Sequence, residues 1–379
     1  MSTVSRVLTS RVPVAAAPMA GGPSTWQLAA AVTRAGGTGF LAAGMRPVQQ
    51  LVQDVARTRS ALEGMDDPVF GVNLFVPEPA NTAVPADRKA PGSEARRRRA
   101  ESVRQYRASL LPEAERLGVE LPGEDALDPD AMDDWEAKCE ASEAGAWPLV
   151  TFTFGLPAPS VFDRLHAAGS VLGVTVTSAA EAARALDHGA DLLCVQGPES
   201  GGHRSVHDPA ADPGTTPLLS LLAEVRAAVG TGAGPDVPLL AAGGIMDAAG
   251  VRRVLEAGAT AAQCGTAFLL AEEAGTSPLQ RAALEQAASG TGFVHDDGSA
   301  MTALTRAYSG RWARGLANRF MREHADAPAA YPEVNTLTGP LRKAATAAGD
   351  AESVSLWAGV GAACVRSAPA AEIVRSLTP

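Results

Sequence analysis

Residues 172–195 read LGVTVTSAAEAARALDHGADLLCV, and this stretch decides the fold. Leu172 to Val176 is a short apolar run, the pattern of a strand buried on both faces. Thr177 and Ser178 offer hydroxyl caps to a helical run from Ala179 to His188. Gly189 closes that helix, and Asp191 to Val195 starts the next strand. Strands joined through a helix run parallel, because an antiparallel return needs only a tight turn.

The same grammar recurs in both directions. Val14-Ala-Ala-Ala17 leads through Pro18-Met-Ala-Gly-Gly22 into a helix from Trp26 to Ala35, and Gly36-Gly37 precedes the strand Thr38-Gly-Phe-Leu41. Further apolar runs lie at 69–74, 149–154, 239–242 and 261–264, giving eight in all, near residues 14, 38, 69, 149, 172, 192, 239 and 261. Eight parallel strands separated by helices predict an α/β fold of the closed (β/α)₈, or TIM-barrel, type. An open doubly wound sheet would place a GxGxxG turn after the first strand, and none stands there.

Two stretches break the repeat. Residues 77–147 open on Pro77-Glu-Pro79, carry Arg96-Arg-Arg-Arg99 and turn acidic from Glu113 to Glu143; they read as a long helical insertion after the third strand. The arginine run reads as a solvated helix face paired with nearby acids. Residues 273–379 read as a mostly helical C-terminal region packing near the active-site mouth, ending in a helix at Ala370 to Leu377 behind Pro369. The barrel itself then spans residues 1–76 and 148–272.

The chain has 379 residues, 46% apolar and 20% charged, with a formal charge of −10. An acidic surface argues against nucleic acid as a main partner. Cys139, Cys194, Cys264 and Cys364 form no CxxC pair and read as reduced thiols. Neither a signal peptide nor an apolar run of membrane-spanning length is evident, so the expected location is the cytoplasm. No metal-ligand spacing, nucleophile elbow or Walker loop occurs. Monomer and homodimer are both compatible with the sequence.

Barrel active sites form where the strands end at their C-termini. After the seventh run stands Ala242-Gly243-Gly244-Ile245. After the eighth stands Gln263-Cys264-Gly265-Thr266, which reads as opening a helix from Ala267 to Glu273. These two loops are the usual phosphate site of the fold, since glycine lets backbone N–H groups approach an anion. A helix opening at Thr266 would favour the same anion. The sixth run leads into Gln196-Gly-Pro-Glu-Ser-Gly201-Gly202-His203-Arg204, which puts an imidazole on a glycine loop beside the proposed phosphate site. Imidazole titrates near neutrality, so His203 is the candidate proton-transfer residue, with His207 its rival. Pro18, Met19, Ala20, Asn73 and Gln196 stand where backbone or amide groups would meet the edge of a flat ligand.

Together these segments resemble the nitronate monooxygenase family, formerly the 2-nitropropane dioxygenases. The matching segments are Ala17-Pro-Met-Ala-Gly-Gly22, Gly39-Phe-Leu41, Gly71-Val-Asn-Leu74, Thr151-Phe-Thr-Phe-Gly155, Gln196-Gly-Pro-Glu-Ser-Gly-Gly-His203, Ala241-Ala-Gly-Gly-Ile245, Gly265-Thr-Ala-Phe268, Tyr308-Ser-Gly-Arg311 and Trp357-Ala-Gly359. The resemblance implies non-covalent flavin mononucleotide (FMN) and O₂-dependent oxidation of alkyl nitronates to a carbonyl compound and nitrite. It implies that His203 is catalytic, either taking the α-proton of a nitroalkane or holding the nitronate. It also implies that Asn73, Gln196, Gly201, Gly202, Gly243, Gly244, Gln263, Gly265 and Thr266 contact the flavin. The family often has Met at Cys264, Gly at Ser205 and Gln at Val360. Arg204 is a candidate partner for the nitro group. The same loops would also suit an NAD(P)H-dependent quinone or enoyl reductase, or a barrel that binds a phosphorylated metabolite without redox chemistry.

Overall fold

The computed structural model describes residues 12–230, 237–295 and 297–379, so residues 1–11 of the expected barrel range lie outside it. The strands in chain order are β1 Val14–Ala16, β2 Gly39–Ala42, β3 Phe70–Phe75, β4 Leu149–Thr153, β5 Val171–Val176, β6 Leu192–Gln196, β7 Gly202–His203, β8 Leu239–Ala242, β9 Ala261–Cys264, β10 Thr302–Thr305 and β11 Ala313–Leu316. Eight of them pair in parallel in the order β1-β9-β8-β6-β5-β4-β3-β2. Thr38 N–H bonds Val14 O at 3.0 Å and Ala16 N–H bonds Thr38 O at 3.0 Å, which draws the two ends of the sheet together. The sheet is a (β/α)₈ barrel.

Residue alternation along parallel strands fills the interior in layers. Ala15, Phe40, Leu149, Val171, Leu192, Leu240 and Ala261 form its apolar floor. A Cβ at Gly71 would fall inside the Phe40 ring, so that strand glycine is what admits the aromatic ring. Toward the C-terminal ends the interior turns polar. Asn73 donates to Thr151 Oγ1 and Thr153 Oγ1, both at 2.9 Å, and the Cys194 thiol donates to Gln263 Oε1.

The 172–195 unit folds as its residues dictate. Ser178 Oγ caps the helix Ala179–Asp187 by accepting from Glu181 N–H at 3.2 Å, and Gly189 takes a φ of 100° to leave it. Thr177 is not the cap; its N–H and hydroxyl both donate to the Glu181 carboxylate.

The insertion carries the helices Glu94–Ser109, Leu111–Leu117 and Trp135–Ala144. Trp135 and Cys139 are buried in the main core, so the last of these stands among the barrel helices. The first two share a second core with the C-terminal region, in which Val103, Tyr106, Leu110 and Ala114 meet Tyr308, Phe320, Val334 and Leu337. The C-terminal region holds strands as well as helices. β10 pairs with β11, and β11 pairs with β7. The helix Ala370–Leu377 buries Ile373, Val374 and Leu377 in the barrel core.

Three arginines of the run pair with acids, while Arg97 donates to Gly92 O. Arg96 meets Asp130 and Arg98 meets Glu94. Arg99 goes further: its guanidinium, 13% exposed, bonds Glu78 at 2.8 Å and Glu333 at 2.5 Å and donates to Tyr331 O at 2.7 Å. Burial opposes its charge, but the two carboxylates outweigh this and raise its pKa further. Arg99 thus straps the insertion to the C-terminal helix Glu333–Ala347. An Arg99→Met protein leaves two buried carboxylates facing each other without a cation. It should lose on the order of 3 kcal/mol of stability, read as a lower melting temperature at pH 7.

Candidate active site

A cavity of about 590 Å³ opens at the C-terminal ends of the barrel strands. It is lined by Pro18, Met19 and Ala20 after β1, Asn73 in β3, Gln196 at the end of β6 with Gly201 to His203 beyond it, Ala242 at the end of β8 with Gly243 and Gly244 beyond it, and Gln263 to Thr266 across the end of β9; Arg204 and His207, also singled out from the sequence, do not line it. Residues with no common neighbours in sequence meet here because each follows the end of its own strand.

His203 is placed by strand pairing. It lies opposite Ala313 of β11, and Gly202 lies opposite Arg314. Gln196 braces the loop from below: its amide donates to His203 O at 2.9 Å and its Oε1 accepts from Ser205 N–H at 2.8 Å. The Gln196 side chain thus braces the loop while it also lines the cavity. Arg204 points into the scaffold, donating to Pro213 O at 2.7 Å and to Gln196 O, with 3% exposure. This excludes it as a partner for the nitro group.

The imidazole sits between Phe154 and Trp357, with ring centroids at 5.5 and 5.4 Å. His203 Nε2 is 2.8 Å from Ser309 Oγ, and Ser309 Oγ is 3.3 Å from both the N–H and the O of Arg311. The Ser309 hydroxyl can accept from Nε2 while its own proton turns to Arg311 O. That leaves Nδ1, which has no partner among the described residues, with a free lone pair. Burial, with Arg311 and Arg342 nearby, pushes the imidazole down to about 3, so it is neutral at ordinary pH. Its folded pKa lies below the unfolded value near 6.5, so the unfolded chain binds the proton first. Stability carried by this group is full above about pH 6.5 and drains as pH falls toward 3. Melting temperatures from pH 7 to 4 should therefore fall more steeply in the native protein than in a His203→Gln variant.

His207 is fully buried and does not line the cavity. Its Nε2 donates to Thr175 O at 2.9 Å, and its peptide N–H donates to Glu181 at 2.8 Å. It anchors the far end of the loop.

The glycine loops form a cradle. Gly243 and Gly244 have φ of 141° and 66°, and their N–H groups find no acceptor among the described residues. The expected helix from Ala267 to Glu273 is absent: Thr266–Phe268 is a single 3₁₀ turn. One turn sums too few peptide dipoles to attract an anion as a helix does, so the case for a phosphate there rests on the glycines. Thr266 Oγ1 instead accepts from Gly359 N–H at 2.9 Å, joining this loop to the C-terminal region. The helix after Gly244, Ala248–Glu256, is capped by its own Asp247, whose carboxylate accepts from Gly250 N–H at 2.6 Å.

Some lining residues were not legible in the sequence. Phe154 and Trp357 flank His203, Phe75 packs on Phe154, and Arg342 and Lys343 come from the helix Glu333–Ala347. Phe154 holds a φ of 78°, which is rare for a side-chain-bearing residue, with the Arg311 guanidinium 4.3 Å from its ring centroid. Ser205, where the family often has glycine, accepts from Phe154 N–H at 3.3 Å and so helps to hold that conformation. Cys194 and Cys264 line the cavity as buried thiols, each pushed up to about 12 by burial, and are inert as nucleophiles at neutral pH. Val360 is 41% exposed and lies outside the lining, though next to Gly244.

The nitronate monooxygenase family profile matches residues 2–379. The chain belongs to the nitronate monooxygenase family. It is 36% identical to a nitronate monooxygenase of Paraburkholderia phytofirmans, over 96% of this chain and 91% of that one. It is 35% identical to one of Pseudomonas aeruginosa, over 98% and 97%. Among solved structures it resembles a nitroalkane oxidase from Streptomyces ansochromogenes, with a TM-score of 0.83 and 40% identity over 99% and 96% of the two chains. FabK from Thermotoga maritima, at 23% identity and a TM-score of 0.68 over 100% and 94%, shares the fold. This family member is an oxidoreductase. Among the described residues, no helix is long and apolar enough to cross a membrane.

Proposed function

We propose that this protein holds FMN in the barrel mouth and oxidises alkyl nitronates, or the nitroalkanes that give rise to them, to a carbonyl compound and nitrite with O₂. The observation that carries the reading is His203, wedged between Phe154 and Trp357 with Nδ1 unpartnered, on the wall of a cavity whose rim is the glycine cradle. The residues present fit the cofactor. The unpaired N–H groups of Gly243 and Gly244 suit a phosphate, with Gly265 and Thr266 beside them. Gln263, Asn73 and the backbone at Pro18, Met19 and Ala20 line the end of the cavity suited to a flat ring.

Bound FMN supplies the electron acceptor. The chain does the rest. Neutral His203 takes the α-proton of a nitroalkane at Nδ1, while Nε2–H donates to Ser309. The resulting anion lies on a wall that includes Arg342 and Lys343, whose charges favour it over the neutral acid. Phe154 and Trp357, which flank the imidazole, exclude water from it.

Purified protein incubated with FMN and desalted should remain yellow, and an alkyl nitronate should bleach it without oxygen. Colourless protein after desalting would favour a phosphorylated metabolite as the ligand. Bleaching by NADH or NADPH, with no response to nitronate, would overturn the substrate assignment.

A further inference from the structure

The helix Glu333–Ala347 carries a glycine its backbone does not need. Gly339 stands in the helix interior, directly before Pro340, where both residues are poor helix formers. The usual reasons for glycine are absent. Its φ is not positive, and an added Cβ would meet nothing within 4 Å, so no neighbour requires the missing side chain. Yet Gly339 lines the active-site cavity, one turn before Arg342 and Lys343, which line it too. On its other side, Asn335 contacts Met45 Sδ at 3.9 Å, and Met45 stands at the cavity rim. The missing side chain therefore leaves a gap in the wall between Met45 and the arginine that bears electrostatically on His203.

We propose that Gly339 is a specificity-determining residue, and that its gap receives the carbon substituent of the substrate, admitting nitronates with chains of several carbons. This assignment rests on the nitronate reading above. Met45, Arg342 and Lys343 line the same cavity, and their thioether and methylene stems offer an alkyl chain apolar surface to cover. A side chain at residue 339 would occupy that space and shorten the longest substituent accepted, without touching His203 or the glycine cradle.

The test is kcat/KM for a homologous series of linear nitronates, from nitroethane to nitrohexane, in the FMN-loaded protein. Burial of each added methylene should raise kcat/KM about fourfold in the native protein, since about 0.8 kcal/mol accompanies each buried methylene. In Gly339→Leu the rise should stop or reverse beyond nitropropane, with nitroethane kept within about threefold. Gly339→Met, with its high helix propensity, provides a second blocked variant. Gly339→Ala should melt at a higher temperature and keep most of the rise. Parallel profiles in the native protein and both blocked variants would overturn the assignment. A native protein that turns over none of the series would overturn the nitronate reading itself, and this assignment with it.

Discussion

A His203→Asn protein should lose kcat/KM for neutral nitroalkanes by roughly 10²–10⁴-fold while keeping most of its turnover of preformed nitronates. The expectation follows from the placement of the ring. Nε2 is taken by Ser309 at 2.8 Å, so Nδ1 is the nitrogen left for a substrate. Burial and the nearby Arg311 and Arg342 keep the imidazole neutral down to about pH 3, so the base is in its active form across the usual assay range. Asparagine occupies part of the same space and can hydrogen-bond, but it cannot take a proton. A preformed nitronate has already lost the α-proton, so its turnover needs no base. Oxygen consumption with each substrate form, from pH 6 to 9, separates the two roles. Equal losses for both forms would assign His203 to holding the anion, and unchanged turnover of both would remove it from the reaction.

The second large effect is expected at the cradle. Gly244→Val should purify colourless and retain little FMN after desalting, with affinity down by at least 100-fold. Gly244 has a φ of 66°, a conformation that β-branched residues avoid. Its Cβ would also lie 3.2 Å from Glu199 Cβ and 3.3 Å from Val360 Cγ2. Relief of both strains moves the loop and turns the unpaired N–H groups of Gly243 and Gly244 away from a phosphate. Far-ultraviolet circular dichroism should be unchanged, because the loop lies outside the strands. A yellow variant with native FMN affinity would locate the phosphate elsewhere.

Arg99 shows why a charge run is hard to read. Four successive arginines on a helix look alike in sequence, and pairing with acids is expected of all. Arg96 and Arg98 pair with acids, as the pattern suggests. Arg99 alone reaches Glu333, 234 residues away, and this follows from packing between the insertion and the C-terminal region. Phe154 and Trp357 are a similar case. Each stands in a segment that resembles the family, but neither segment reveals that its ring touches the other side of one imidazole.

The sequence by itself determined the barrel and the residues of the strand ends. Apolar runs with helices between them leave few ways to bury every strand on both faces, and a closed barrel brings all eight C-terminal ends to one place. Once the strands are known, the loop residues that follow them are known to share a cavity, whatever their separation along the chain. Only the tertiary structure decided what those residues do there. Arg204, a candidate partner for the nitro group, is spent on the scaffold, and Gln196, which lines the cavity, also braces the His203 loop. The helix expected after Thr266 is one turn, and the region beyond it supplies two strands, one of which sets the position of His203. Side-chain direction, pairing between distant segments and the helix face turned toward the cavity depend on packing between elements, which local patterns do not encode.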